Sequence, residues 1–199
     1  MDQIKLKRGL IWLAVTMFIF LGVLRPILVN SKIFTLPAVL NGGKLNVSAL
    51  SLEEHIYTLE GEVATYANLF VPVTGDILAP AVYEKLPHAW KMEEGVTYGS
   101  YQWNFNNLLK GKHYGLYFMD ALSSYRIYVD GELIGQLGVP SESPDMTEPQ
   151  AKVQAVYFVA KSTSADVRIH AASHSSQLVG IWQKIQFGAR SHITDRSEE

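Results

Sequence analysis

Gly99-Ser100-Tyr101-Gln102-Trp103-Asn104-Phe105-Asn106 alternates without a break. In an extended chain Tyr101, Trp103 and Phe105 project to one side, and Ser100, Gln102, Asn104 and Asn106 to the other. That is a β-strand with one face in a core and one toward water. Downstream, residues 114–119 (YGLYFM) are apolar on both faces and suit a central strand. Residues 124–129 alternate again, with Tyr125, Ile127 and Val129 opposing Arg126 and Tyr128. Asp130-Gly131 comes next, a hairpin turn whose two central residues take positive φ, and 132–135 is the short return strand. Beyond a loop of turn formers at 138–149, further strands are read at 153–160, 167–171 and 181–187. Seven or eight short strands separated by turn signals predict an all-β fold, an antiparallel β-sandwich or jelly roll, over residues 55–190. Residues 30–54 read as a linker leading into the domain, and 191–199 as a polar connector to a following element.

Upstream the character changes. Residues 10–24, LIWLAVTMFIFLGVL, carry no charge, and the apolar stretch 9–29 is interrupted only by Arg25 and Pro26. At ~1.5 Å per residue such a helix spans roughly 30 Å, one hydrocarbon core. Lys5, Lys7 and Arg8 precede it, so the positive-inside rule holds residues 1–8 in the cytoplasm and exports the rest of the chain. The expectation is one N-terminal transmembrane helix, a signal anchor at the cell membrane with an extracytoplasmic body. A signal peptide cleaved near Val29-Asn30-Ser31 is the competing reading.

The whole chain has 199 residues, with 17 basic against 19 acidic. Residues 1–25 hold four of the basic residues and one acidic residue. The remainder therefore has 13 basic and 18 acidic residues, a net charge of −5. A body this acidic, without a Lys/Arg cluster, is not a nucleic-acid binder. There is no cysteine, which excludes disulfides, thiolate metal sites and cysteine catalysis.

No pattern of catalysis or metal binding stands out, and no cofactor is expected. His170 and His174 are four apart, a metal spacing on a helix, but on a strand four residues span about 13 Å. Ser123-Ser124 lacks the G-x-S-x-G elbow. Glu53-Glu54 and Glu93-Glu94 are sequence neighbours, as in solvated turns, and adjacency does not make a glycosidase pair. Arg126, Tyr128 and Trp182 are the candidate ligand-binding residues. The strand period turns Arg126 and Tyr128 outward, and Trp182 beside Lys184 and Gln186 away from Ile181, Ile185 and Phe187. A guanidinium and two aromatic rings on an outer face suit a sugar or an anionic small molecule; packing against a partner is the alternative use of the same face.

Several phrases stand in one order: Leu59-Glu60-Gly61-Glu62, Leu86-Pro87-His88-Ala89-Trp90, Tyr98-Gly99-Ser100-Tyr101, Ser123-Ser124-Tyr125-Arg126-Ile127-Tyr128-Val129-Asp130-Gly131, Gly135 to Gly138, and Gly180-Ile181-Trp182. Together they make residues 55–190 resemble the extracellular galactose-binding-like domain of bacterial seven-transmembrane receptors with diverse intracellular signalling modules. The same phrases are similar to the N-terminal sugar-binding domain of β-galactosidase-like hydrolases. Val63 and Asp130 depart from the usual Trp and Asn. The resemblance implies a jelly roll that senses a carbohydrate or other small ligand and passes the signal to a downstream seven-helix membrane unit, with no enzymatic activity in this chain. Its alternatives are an accessory carbohydrate-binding module of a membrane-anchored glycoside hydrolase and a non-sensing envelope assembly module.

Overall fold

The structure, a computed structural model, describes residues 35–119, 123–148, 150 and 152–198, together with Trp12, Met17 and Phe18. The expected membrane span at 9–29 and the basic leader at 1–8 otherwise lie outside the described residues. Among the described residues no helix is long and apolar enough to cross a membrane.

Two layers of mostly antiparallel strands enclose one core. The first layer runs β10 (Gln154–Val159), β7 (His113–Phe118), β13 (Ile185–Ala189) and the first half of β3 (Tyr57–Ala67). The second runs from the other half of β3 through β6 (Tyr98–Asn106), β11 (Ser164–Ala172) and β8 (Ser124–Val129) to β9 (Glu132–Leu137). The predicted alternation of β6 holds: Tyr101, Trp103 and Phe105 are fully buried. Phe105 stacks on Phe187 of the facing layer with centroids 4.5 Å apart, and Phe118 meets Tyr125 at 5.5 Å. These rings interlock the two sheets. The Asp130-Gly131 hairpin also forms, with φ of 50° and 79° at its two central residues.

Strand β3 belongs to both layers, and Gly61 is where it changes over. Tyr57 and Thr58 pair with Phe187 and Gln186 of the first layer, whereas 64–67 pair with 99–102 of the second. Across β3 from β13, β1 (Leu36–Leu40) lies parallel along 57–61, and across β3 from β6, β4 (Val82–Leu86) lies antiparallel along 61–65, so Gly61 pairs with both β1 and β4. Gly61 has φ +92°, and a Cβ there would sit 2.3 Å from the Leu40 carbonyl oxygen. Only glycine fits both the conformation and the approach.

Three boundaries differ from the sequence reading. Residues 35–54 are part of the sandwich, because β1 and the short β2 (Lys44–Asn46) pair in parallel with β3 and β6. Their partners are backbone ladders far along the chain, which leave little periodicity in so short a segment. Residues 181–187 are not one strand. β12 (Leu178–Ile181) pairs with β5 (His88–Lys91) in a separate two-stranded ribbon, and β13 begins only at Ile185. The polar tail begins as a helix, α1 (Arg190–Glu198). Its Ile193 is fully buried over Gly115 and Gly188, which pair across the β7–β13 ladder. The Arg190 guanidinium lies 5.0 Å from the Tyr157 ring centroid.

Candidate functional site

The outer face of the second layer carries a built polar and aromatic surface. Even-numbered residues of β6, β8 and β11 point there, opposite to the core residues that alternate with them. His170 sits opposite Arg126 in the β11–β8 ladder and opposite Ser100 in the β11–β6 ladder; Arg168 sits opposite Tyr128 and Gln102. A strap of residues 68–81 crosses this face and buries part of it. The Ser100 hydroxyl donates to the Leu69 carbonyl at 2.8 Å and accepts from the Val71 N–H at 3.0 Å. Arg168 donates from Nη1 to the Pro72 carbonyl, from Nη2 to the Gly75 carbonyl at 2.7 Å, and from Nε to Asp166 at 2.6 Å. Every arm of that buried guanidinium is engaged, which is what its desolvation requires.

The strap places Phe70 face to face with His170, with centroids 4.9 Å apart and planes 20° apart. Tyr98 meets Phe70 at 5.1 Å, and Tyr128 meets His170 at 5.1 Å. Tyr98, Phe70, His170 and Tyr128 thus form a continuous row of rings with Arg126 at one end. His170 itself is buried, and the others are half-buried. Burial, largest, and nearby Glu142 push the Tyr98 hydroxyl up from its ordinary pKa.

His170 Nε2 lies 2.8 Å from the Val71 carbonyl. A carbonyl only accepts, so this nitrogen carries the proton. Burial chiefly, then the charges of Arg126 and Arg168, hold the imidazole below its ordinary pKa against the opposing effect of that hydrogen bond. His88 is lowered as well, by burial, with Glu84 and Glu94 opposing. A histidine lowered in the folded state takes up its proton first when unfolded. Its stability contribution is complete above the unfolded value and is lost progressively as pH falls from there through the lowered folded value. The melting temperature is therefore expected to fall between pH 7.5 and pH 5.0, and His170→Gln, which keeps a donor for Val71, to flatten part of that fall. Melting curves that are level or rise toward acid would contradict this.

Of the three residues singled out in the sequence, the structure brings Arg126 and Tyr128 together and leaves Trp182 elsewhere. Trp182 comes directly after β12 and lines a crevice of about 10 Å³ with Phe118, Tyr125, Ile169 and Ala171. Tyr125, Ile169 and Ala171 belong to the inward set, so this indole is on the opposite side of the second layer from Arg126. A space of that volume holds about one water at most. The outward orientation requires an unbroken strand over 181–187, and the break after Ile181 resets the alternation. Phe70, Tyr98 and His170 are the members of the row that sequence reasoning misses. Tyr98 shares parity with Ser100 and Gln102 and is legible on that ground; Phe70 lies in a loop without period.

The remaining motif residues are structural. The buried Tyr101 hydroxyl donates to the His88 carbonyl at 2.9 Å and accepts from the Ile181 N–H at 3.3 Å, joining both strands of the ribbon to β6. Burial drives its pKa far above the ordinary tyrosine value. Ser123 Oγ accepts from the Gly180 N–H at 2.9 Å, and Ser124 Oγ donates to the Glu148 carbonyl at 2.6 Å. A wider hollow, about 670 Å³, runs along Lys91–Glu93 and 175–178, and no aromatic ring lines it.

No family model matches the chain, and no curated protein matches it. Solved structures do. A Bacteroides uniformis beta-glucuronidase aligns with TM-score 0.52 at 13% identity, over 67% of this chain and 17% of its own. A glycosyl hydrolase family 2 member from Bacteroides cellulosilyticus aligns at 0.52 and 11%, over 67% and 20%. An uncultured Clostridium beta-glucuronidase aligns at 0.50 and 10%, over 67% and 28%. This chain spans between a sixth and under a third of the length of those enzymes. At such identity the likeness is one of fold: the sandwich is built like a β-domain found within family 2 glycosyl hydrolases.

Proposed function

We propose that the sandwich is a carbohydrate-binding domain that takes a sugar ring on the Tyr98–Phe70–His170–Tyr128 row, and that it is the extracytoplasmic sensing part of a bacterial membrane signalling receptor. The observation that carries the binding reading is that row. It is a surface of adjoining rings, held in place by the strap that crosses the face and contributes Phe70, with a guanidinium beside it. Stacking contributes about 0.5–2 kcal/mol per ring or cation–π pair, which corresponds to micromolar to millimolar affinity. The sensing role and the membrane location are supported by the basic trio before the apolar 9–29 stretch and by the ordered phrases between Leu59 and Trp182. An accessory module of a membrane-anchored glycoside hydrolase is the second reading, favoured by the solved structures that share the fold.

Calorimetric titration of the protein with a panel of mono- and oligosaccharides tests binding. At least one sugar is expected to bind, and Tyr128→Ala to weaken it about 5-fold or more, the loss of one ring contact, with a cooperative melting transition retained. Equal affinity in a folded Tyr128→Ala variant would remove the row from the site. Protease added to spheroplasts is expected to digest the body; protection until lysis would invert the topology.

A further inference from the structure

The two guanidinium groups on the outer face are in opposite states. Arg168 spends Nε, Nη1 and Nη2 on Asp166 and the strap. Among the described residues Arg126 donates only from Nε, to Gln136 Oε1 at 3.2 Å. Gln136 is itself fixed, since its Nε2 donates to the Gly138 carbonyl at 2.8 Å. Neither Nη1 nor Nη2 of Arg126 has a hydrogen-bond or ion-pair partner among the described residues, and the side chain is half-buried. A guanidinium held by Nε, with both Nη groups open, is a planar fork for a carboxylate.

Its neighbours fix what else the ligand must offer. Tyr128 is two residues along the same strand on the same face, ~6.6 Å away, which is within the reach of one sugar ring and its substituent. His170 lies across the ladder and stacks with Phe70. Asp166 is committed to Arg168 and Gln102, so it does not neutralise Arg126. At the far end of the row the carboxylate of Glu142 acts on Tyr98. The row is therefore cationic at Arg126 and acidic at Tyr98.

Resting on the carbohydrate reading, we propose that the sugar recognised is an acidic one, a uronic acid whose ring lies on Tyr128 and whose carboxylate is gripped by Nη1 and Nη2 of Arg126. The open fork beside a ring, in a body of net charge −5, selects for the carboxylate locally while the rest of the surface repels anions. Arg126 is a specificity-determining residue and Tyr128 the stacking one.

The test is calorimetric titration of the full chain with D-glucuronate, D-glucose and acetate at low salt, on the natural protein, Arg126→Gln and Arg126→Lys, each checked by its melting curve. D-glucuronate is expected to bind at least 10-fold more tightly than D-glucose. Arg126→Gln is expected to abolish the preference, so that D-glucuronate and D-glucose bind the variant equally. Arg126→Lys, a point charge without the fork, is expected to fall between. Equal binding of the two sugars to the natural protein overturns the acidic-sugar assignment and leaves the carbohydrate reading standing. Acetate binding as tightly as D-glucuronate overturns it too, in favour of a plain anion site. Binding of none of the three, with none from the wider sugar panel, removes the carbohydrate reading itself.

Discussion

Trp103→Ala is expected to lower the unfolding free energy by about 3–5 kcal/mol, the range for truncating a fully buried large aromatic. Trp103 has no exposed surface and lies at the centre of β6, edge-on to Phe105 at 6.3 Å. Between the sheets, removing the indole leaves a void that the stacked rings around it cannot close without leaving their own contacts. A loss of that size is a large part of the stability of an ordinary domain. Trp103→Phe is expected to be milder. It keeps a ring in place and removes the indole Nε1, which is buried without a hydrogen-bond partner among the described residues. Chemical denaturation followed by circular dichroism measures both; a Trp103→Ala loss below about 1 kcal/mol would show that the core is not where β6 places it.

Gly61→Val is expected to cost more than about 3 kcal/mol, adding backbone strain to a clash. The position has φ +92°, outside the range of a β-branched residue, and the new Cβ would press on the Leu40 carbonyl. The β1 strand would have to separate from β3 at the point where β3 passes from one sheet to the other. The expected result is loss of the cooperative melting transition or a sharply lowered midpoint. A midpoint within a few degrees of the natural protein would contradict the changeover at Gly61.

Much of this architecture is legible in the residues, and the exceptions have physical causes. The alternation of 99–106 is readable because β6 has a dry face against the facing sheet and a face of hydrophilic side chains, so period and burial coincide. Asp130-Gly131 is readable because positive φ at two successive positions is demanding. Arg126 and Tyr128 are correctly placed by the same parity. Trp182 is not, because parity carries no information across the break that separates the β5–β12 ribbon from β13. Residues 35–54 are hidden by their brevity. The strap is hidden for a different reason: His170 and Val71 are 99 positions apart, and neither has a local pattern that announces the other. The ring row exists only through that long-range contact, so it belongs to the fold rather than to any one segment.

Ligand is expected to meet this protein on the outer face of the second sheet. Backbone amide chemical shifts of the ¹⁵N-labelled chain, followed during titration with the tightest-binding sugar of the panel, test this most directly. The perturbations are predicted to cluster on Phe70, Tyr98, Arg126, Tyr128 and His170. Perturbations confined to Trp182 and its crevice, to the hollow along 175–178, or absent with every sugar would contradict it.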